Sequence, residues 1–329
     1  MGKLSSSDLK ILYHLDLNSK QSLRALGKKV QLSKSVVQYR IKRLEQLGII
    51  KHYYTNIDFF KLGYIQISIQ IIFQYYTPEI EQELINHFSN HHQTWFVANV
   101  QGKYDLFVQF SVKNMNNFFS FWKKTLQRFR FHIEQADISF SRKIIHVPKT
   151  YLTDDHETCQ QHTTTITSNS TPYNLQELDT NILKELLLNP RQSSTDIAKT
   201  YNTSSVTIAN HIRKLEKQNI IKGYTIDIDY TKLGLQLFNV QYTLKRYDNL
   251  QKIIEYAMKN PHLISINEVI GNYDLSMNYH IKDFSILHPI INDVLTRFPD
   301  DIKNRISTSY PTIYKQGYLN EFAQKSLKI

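Results

Sequence analysis

A single cysteine, Cys159, stands among 329 residues. That excludes an intrachain disulfide and suits a reducing compartment. No apolar run approaches the roughly 20 residues that a membrane-spanning helix needs, and the N-terminus lacks the pattern of a secretory signal. A cytoplasmic protein is expected. Catalytic signatures are missing too: there is no phosphate-cradling glycine loop, no Gly-x-Ser-x-Gly elbow and no His-Glu-x-x-His helix. His156, Cys159 and His162 are evenly spaced, but a zinc site needs fixed ligands and this segment has no apolar periodicity. No metal, no cofactor and no enzyme activity are expected.

What the chain does contain is itself, twice. Shifted by 171 positions, residues 4–63 align with 175–234 without a gap, and 23 of those 60 positions are identical. Gly102-Lys103-Tyr104-Asp105-Leu106 reappears as Gly271-Asn272-Tyr273-Asp274-Leu275. A repeat this long is a whole module rather than a solenoid unit. The net charge of +11 is unevenly shared: residues 1–61 carry 12 bases and 4 acids, whereas 172–232 carry 8 and 7. A basic excess confined to one small region is the footprint of polyanion binding.

Each copy opens with three short helical patterns. In the first, Ile11, Leu12 and Leu15 share a face, a second helix follows Ser22, and a third follows Ser33 with Val37, Ile41 and Leu44 on one stripe. Ile182, Leu183 and Leu186, then Ser193, then Ile208, Ile212 and Leu215 repeat the scheme. The β-rich stretches 49–57 and 220–228 predict a two-stranded wing after each third helix. The rest of each copy reads strand, helix, strand, strand, helix, strand, an antiparallel sheet with helices on one face. The expected fold is therefore α+β, a tandem duplication of a winged helix-turn-helix and a ferredoxin-like βαββαβ domain. Its expected boundaries are 1–63 and 64–150 for the first copy, 151–171 for a mobile linker, 172–234 and 235–315 for the second, and 316–329 for a tail. The uncovered sheet faces predict that the two modules pair within the chain.

The third helix of copy one carries the sharpest functional signal. At about 100° per residue, Ser35, Gln38, Tyr39 and Lys42 lie opposite the core stripe, with Arg40 and Arg43 on the flanks. Amide, hydroxyl and basic groups on one face suit base edges in a major groove, while Lys34, Arg40 and Arg43 suit phosphates and Ser33 caps the helix. In copy two, Ser205, Asn210 and His211 replace Lys34, Tyr39 and Arg40, and Arg213 and Lys214 follow. Asn210 could pair with adenine. Copy one is thus expected to be the dominant reader of double-stranded DNA, and the operator to be asymmetric.

These residues resemble the leucine-responsive regulator/AsnC (Lrp/AsnC) family of bacterial and archaeal transcription factors. The resemblance rests on the Leu-Ser-Lys-Ser-Val-Val…Arg-Ile-Lys-Arg-Leu-Glu…Leu-Gly-Ile-Ile run at 32–50, on Lys61-Leu62-Gly63 and on the two Gly-x-Tyr-Asp-Leu turns. It implies a transcriptional regulator at the nucleoid, dimerising through its ferredoxin-like domain and assembling into homo-oligomers. It also implies a small-molecule effector such as an amino acid, held near Gly102, Tyr104 and Asp105 and near Gly271, Tyr273 and Asp274. The competing explanation of these turns is hairpin chemistry alone. Some proteins of similar build, including fused ones, are sirohaem decarboxylases, the alternative function for this chain.

Overall fold

The computed structural model describes residues 4–153, 162–169 and 171–317. The first copy runs α1 (Ser6–Leu17), α2 (Leu23–Val30), α3 (Lys34–Gln46), β1 (Ile50–Ile57), β2 (Ile65–Phe73), α4 (Pro78–Ser89), β3 (Thr94–Asn99), β4 (Leu106–Val112), α5 (Met115–Phe129) and β5 (Ile133–His146). A short strand β6 (Thr164–Thr167) leads to the second copy. There α6 (Glu177–Leu188), α7 (Ser194–Thr200), α8 (Ser205–Lys217), β7 (Ile221–Ile228), β8 (Gln236–Leu244), α9 (Leu250–Ala257), β9 (Leu263–Ile270), β10 (Leu275–Ile281), α10 (Phe284–Arg297), β11 (Ile302–Ser309) and β12 (Ile313–Gln316) follow. The tandem α+β architecture agrees with the sequence reading, and Ser5, Ser22, Ser33, Ser193 and Ser204 each cap the helix that follows.

The wing is where expectation and structure part. Among the described residues, neither copy folds a two-stranded wing of its own. Strand β1 pairs antiparallel with β7, from Ile50 opposite Ile228 to Ile57 opposite Ile221. Each strand then completes the other copy's helical core. Ile226 and Ile228 pack with Ile11, Leu12, Val37 and Leu44; Ile57 and Tyr64 pack with Ile182, Leu186 and Ile208.

The pairing is locked by bonds that occur twice. Lys61 Nζ donates to the Gln218 carbonyl at 2.6 Å, and Lys232 Nζ to the Leu47 carbonyl at 2.7 Å. Each lysine therefore caps the C-terminus of the other copy's third helix, where carbonyls lack intrahelical donors and the helix dipole favours a cation. Tyr53 reaches Glu45 at 2.6 Å and Tyr224 reaches Glu216 at 2.7 Å. Arg191 lies over the Tyr53 ring and Lys20 over Tyr224.

The two ferredoxin-like sheets exchange strands as well. Within copy one the order is β5-β2-β4-β3, and within copy two β11-β8-β10-β9. The far half of β5 continues onto β9, and β12 crosses back to pair with β3. Ile313 and Lys315, at the end of the expected second domain, and Gln316 just beyond it thus belong to the first copy's sheet, and the expected tail from 318 on lies outside the described residues. The helix-free faces meet across a seam in which Tyr310 packs on Phe96 and Phe107. Elsewhere the seam carries polar pairs, with Gln66 bonded to Ser111 and Trp95, and Asn239 bonded to Ser276.

Residues 151–171, expected as a mobile linker, are anchored at both ends. Leu152 is buried in the first helical core, and β6 pairs with β5. His156 and Cys159 lie outside the described residues. At the junction, Lys149 is ion-paired with Asp16, which also accepts from Thr225, while Tyr151 bonds His280 at 2.9 Å and Tyr230 stacks on that ring. Burial, with help from Lys149, pushes His280 well below its ordinary value and His146 down to about 4; Asp16 opposes the shift at His146.

Two predictions follow from this arrangement. Ile226→Ala empties part of the other copy's core, so urea unfolding should show a loss of about 2–5 kcal/mol. Hydrogen exchange should then quicken in α1 and α3, not only in α6–α8. The second concerns pH. An unfolded histidine protonates near pH ~6.5, whereas His146 and His280 resist protonation in the fold, so their stabilisation is complete above that value and declines as pH falls toward their lowered folded values, about 4 for His146. Thermal midpoints should drop between roughly pH 7 and 5, and His280→Gln should flatten the slope.

Candidate nucleic-acid interface

Helix α3 is held against its own core by Val37, Ile41 and Leu44 and presents its opposite face outward. Ser33, Lys34, Ser35, Gln38, Tyr39 and Lys42 are all exposed, Tyr39 to 69%. The Ser33 hydroxyl accepts from the Val36 amide and lies 3.0 Å from the Ser35 hydroxyl. Tight entry into the helix depends on Gly27, where a Cβ would come within 2.6 Å of the Leu32 carbonyl, and on Gln31, whose left-handed conformation (φ 57°) ends α2. In copy two Asn202 takes the corresponding left-handed turn, φ 49°.

Arg40 is placed differently from its neighbours. Its guanidinium donates to Asp8 at 2.8 Å and to Ser5 at 2.9 Å, so it ties α3 to the start of α1. Burial works to raise the Asp8 carboxyl, but hydrogen bonds from Ser5 and Arg40 outweigh it and hold the group below its usual value. His211, at the matching position of α8, bonds Asp179 at 2.6 Å in the same way. Both side chains sit half-buried on the inner flank, and neither stands with the exposed set. Arg43 is intermediate, half-buried and 3.6 Å from Asp8.

On α8 the exposed positions are Ser205, Val206, Asn210, Arg213 and Lys214. Arg213 donates to the Asn210 side chain at 2.8 Å, pairing the candidate base-reading amide with a cation one turn on. Because β1 and β7 lie side by side, α3 and α8 flank one local two-fold axis and project from a single body. Two helices so related are the geometry by which dimeric helix-turn-helix proteins meet successive turns of a major groove.

The glycine turns are packed closely against the other copy. A Cβ on Gly102 would come within 3.0 Å of the Ser307 carbonyl, and one on Gly271 within 2.8 Å of the Ser139 Cβ. Each turn therefore presses against the other copy's strand. Tyr104 is buried and donates to Asp137 at 2.7 Å, and Tyr273 is buried between Ser68 and Ser139. The carboxylates of Asp105 and Asp274 accept from the amides of Phe73 and Leu244, each at 2.7 Å. Structural duties thus engage all six residues that the sequence marks as effector candidates. The reciprocal lysine caps and the Arg40–Asp8 tie were not anticipated. The available signal was identity, since Asp8, Glu45, Tyr53 and Lys61 are unchanged at 179, 216, 224 and 232.

A family model for a winged helix-turn-helix DNA-binding domain matches residues 4–51 and again 175–222. An uncharacterized HTH-type transcriptional regulator of Pyrococcus furiosus is 28% identical over 122 residues, covering 37% of this chain and 82% of that relative. The leucine-responsive regulatory protein of Escherichia coli is 28% identical over 129 residues, 38% of this chain and 78% of its own length. These relatives correspond to one module. Over both modules, the crystal structure of the siroheme decarboxylase NirDL superposes with a TM-score of 0.65 at 12% identity, covering 97% of this chain and 98% of that one. Among the described residues no helix is long and apolar enough to cross a membrane.

Proposed function

We propose that this chain, which resembles the Lrp/AsnC family with two modules fused in tandem, is a sequence-specific DNA-binding transcriptional regulator acting in the cytoplasm on the chromosome. The observation that carries the proposal is the pair of exposed, capped third helices fixed about one axis by β1 and β7. Gln38, Tyr39 and Lys42 would face base edges from α3, with Ser35 beside them and Lys34 and Arg43 on phosphates. Asn210 and Arg213 would do the reading from α8, with Ser205 and Lys214 at the backbone. Arg40 and His211 orient their helices through Asp8 and Asp179 instead.

Charge sets the ranking of the two helices. Lys42→Ala with Arg43→Ala should weaken binding to genomic fragments co-purified with the protein at least tenfold more than Arg213→Ala with Lys214→Ala. Gel shift or fluorescence anisotropy on the full chain measures this, and equal losses would refute the asymmetry. With about six phosphates neutralised, affinity should fall roughly a thousandfold between 50 and 200 mM salt. A binding constant indifferent to salt would refute DNA as the partner.

The whole-chain likeness to NirDL makes tetrapyrrole decarboxylation the second reading. A tetrapyrrole bearing several carboxylates needs several cations around it. The seam cavity, about 120 Å³, is lined by Gln66, Ser111, Ser141, Asn267, Asn278 and a histidine, His146, held neutral by burial. That lining weighs against the seam cavity as a tetrapyrrole site. Titration with iron uroporphyrin should leave its Soret band unshifted; a shift saturating at one equivalent per chain would favour decarboxylation.

A further inference from the structure

Beneath the C-terminal end of α3 lies a cavity of about 630 Å³ that the DNA-reading role does not use. Its apolar walls come from Leu4 and Leu9 around α1, Leu47 and Ile49 after α3, Leu152 in the linker, and Leu233 and Leu235 before β8, and Tyr151 and His262 also line it. Among the described residues the charged groups along it are the cations Arg43, Lys232 and Lys282, with Asp8 3.6 Å from Arg43 and Asp229 3.8 Å from Lys232 behind the lining. Leu47, 44% exposed at the end of a helix, owes that exposure to this opening.

Among the described residues the second copy is lined differently at the matching place. At the positions matching Leu9, Leu47 and Leu235 stand Thr180, Gln218 and Tyr64. Tyr64 is buried in the second helical core, and the ammonium of Lys113, the counterpart of Lys282, lies 4.8 Å from its ring centroid. A tyrosine with its own cation thus occupies on one side what is left open on the other. The cavity sits under the more basic of the two third helices.

We propose that this cavity is an effector site for a hydrophobic carboxylate, its hydrocarbon body against the leucines and its carboxylate among Arg43, Lys232 and Lys282. Apolar area removed from water drives entry at roughly 25 cal/mol per Å², and the cations select the head group. An amino acid fits less well, because its ammonium would face three cations while Asp8 and Asp229, the carboxylates beside them, stand outside the described lining. A tetrapyrrole with carboxylates on every edge fits poorly too, because several would lie against leucine. The carboxylate would compete with DNA phosphate for Arg43 and with the Leu47 carbonyl for Lys232, loosening the cap on α3. Binding of the effector should therefore weaken DNA binding. That coupling, though not the binding itself, rests on the DNA-reading role proposed above.

The test is calorimetric titration of the full chain with dodecanoate, with dodecylamine and L-leucine as controls. Dodecanoate should bind at one site per chain, and neither control should bind. Lys282→Glu should weaken dodecanoate at least tenfold. Leu235→Tyr, which installs the second copy's filler, should abolish binding, with circular dichroism confirming that both variants fold. Equal binding of dodecylamine, or undiminished dodecanoate binding by Lys282→Glu, overturns the site. In a second arm, saturating dodecanoate should raise the Kd for a co-purified duplex about fivefold or more, with no change in Leu235→Tyr. Dodecanoate binding that leaves the Kd unmoved overturns the coupling alone. A chain that binds no duplex overturns the regulator, while the calorimetry still decides the site.

Discussion

Strand β1 has no partner in its own module, and most of the architecture follows from where it finds one. Its eight residues lie against β7, and the same backbone ladder that joins the strands carries Ile57 into one helical core and Ile226 and Ile228 into the other. Neither three-helix unit closes its core alone, so the two must stand in a fixed relation. The lysine caps then bind each third helix to the partner's strand end, which fixes not only the distance between the helices but their tilt. A flexible tether between two independent DNA-binding units would give no such geometry. Here the relation of α3 to α8 is a property of the core.

The two halves have diverged on their outer surface while several contacts that join their helices and strands were kept. Glu45 with Tyr53, Lys61 with the Gln218 carbonyl and Asp8 with Arg40 all recur in the second copy with nearly the same lengths. Arg40 and His211 show how far a partner can change while the duty persists: both tie the third helix to a buried aspartate. On the exposed side, Lys34, Gln38 and Tyr39 became Ser205, Ala209 and Asn210. The partner of a buried carboxylate such as Asp8 or Asp179 must be kept in kind because an orphaned buried charge is costly, whereas a solvated face bears change at little expense in stability.

This division also explains what could be read in advance. Helix starts at Ser22 and Ser33, strands such as Leu106–Val112 and Leu275–Ile281, and the outward face of α3 were legible because capping and periodicity are local. Partnership was not. Periodicity reports which face of β1 is buried, not which chain segment buries it, and so the wing was expected as a hairpin. Arg40 was assigned to phosphate for the same reason: helical angle places it on a flank, and only the tertiary position of Asp8 decides where it points. Likewise Gly102 and Gly271 carry a turn signature in sequence, but the strand pressed against each of them comes from the other copy. The anchored ends of the linker escaped notice because Leu152 and Ile166 are single apolar residues in a polar stretch.

The exchange of β1 and β7 also bears on how the chain is made. The first helical core, begun at Ile11 and Leu12, awaits Ile226 and Ile228, more than two hundred residues further along. At about 5–20 residues per second of synthesis, the first three helices would remain without their closing strand for roughly 10–40 seconds after emerging. Contacts so distant in sequence slow folding, since the loop must close before they contribute. During that interval Ile50 and its neighbours form an open strand edge, the template on which a second nascent chain pairs most readily. Joining both halves in one polypeptide raises the local concentration of the correct partner, which favours the intramolecular pairing over that collision.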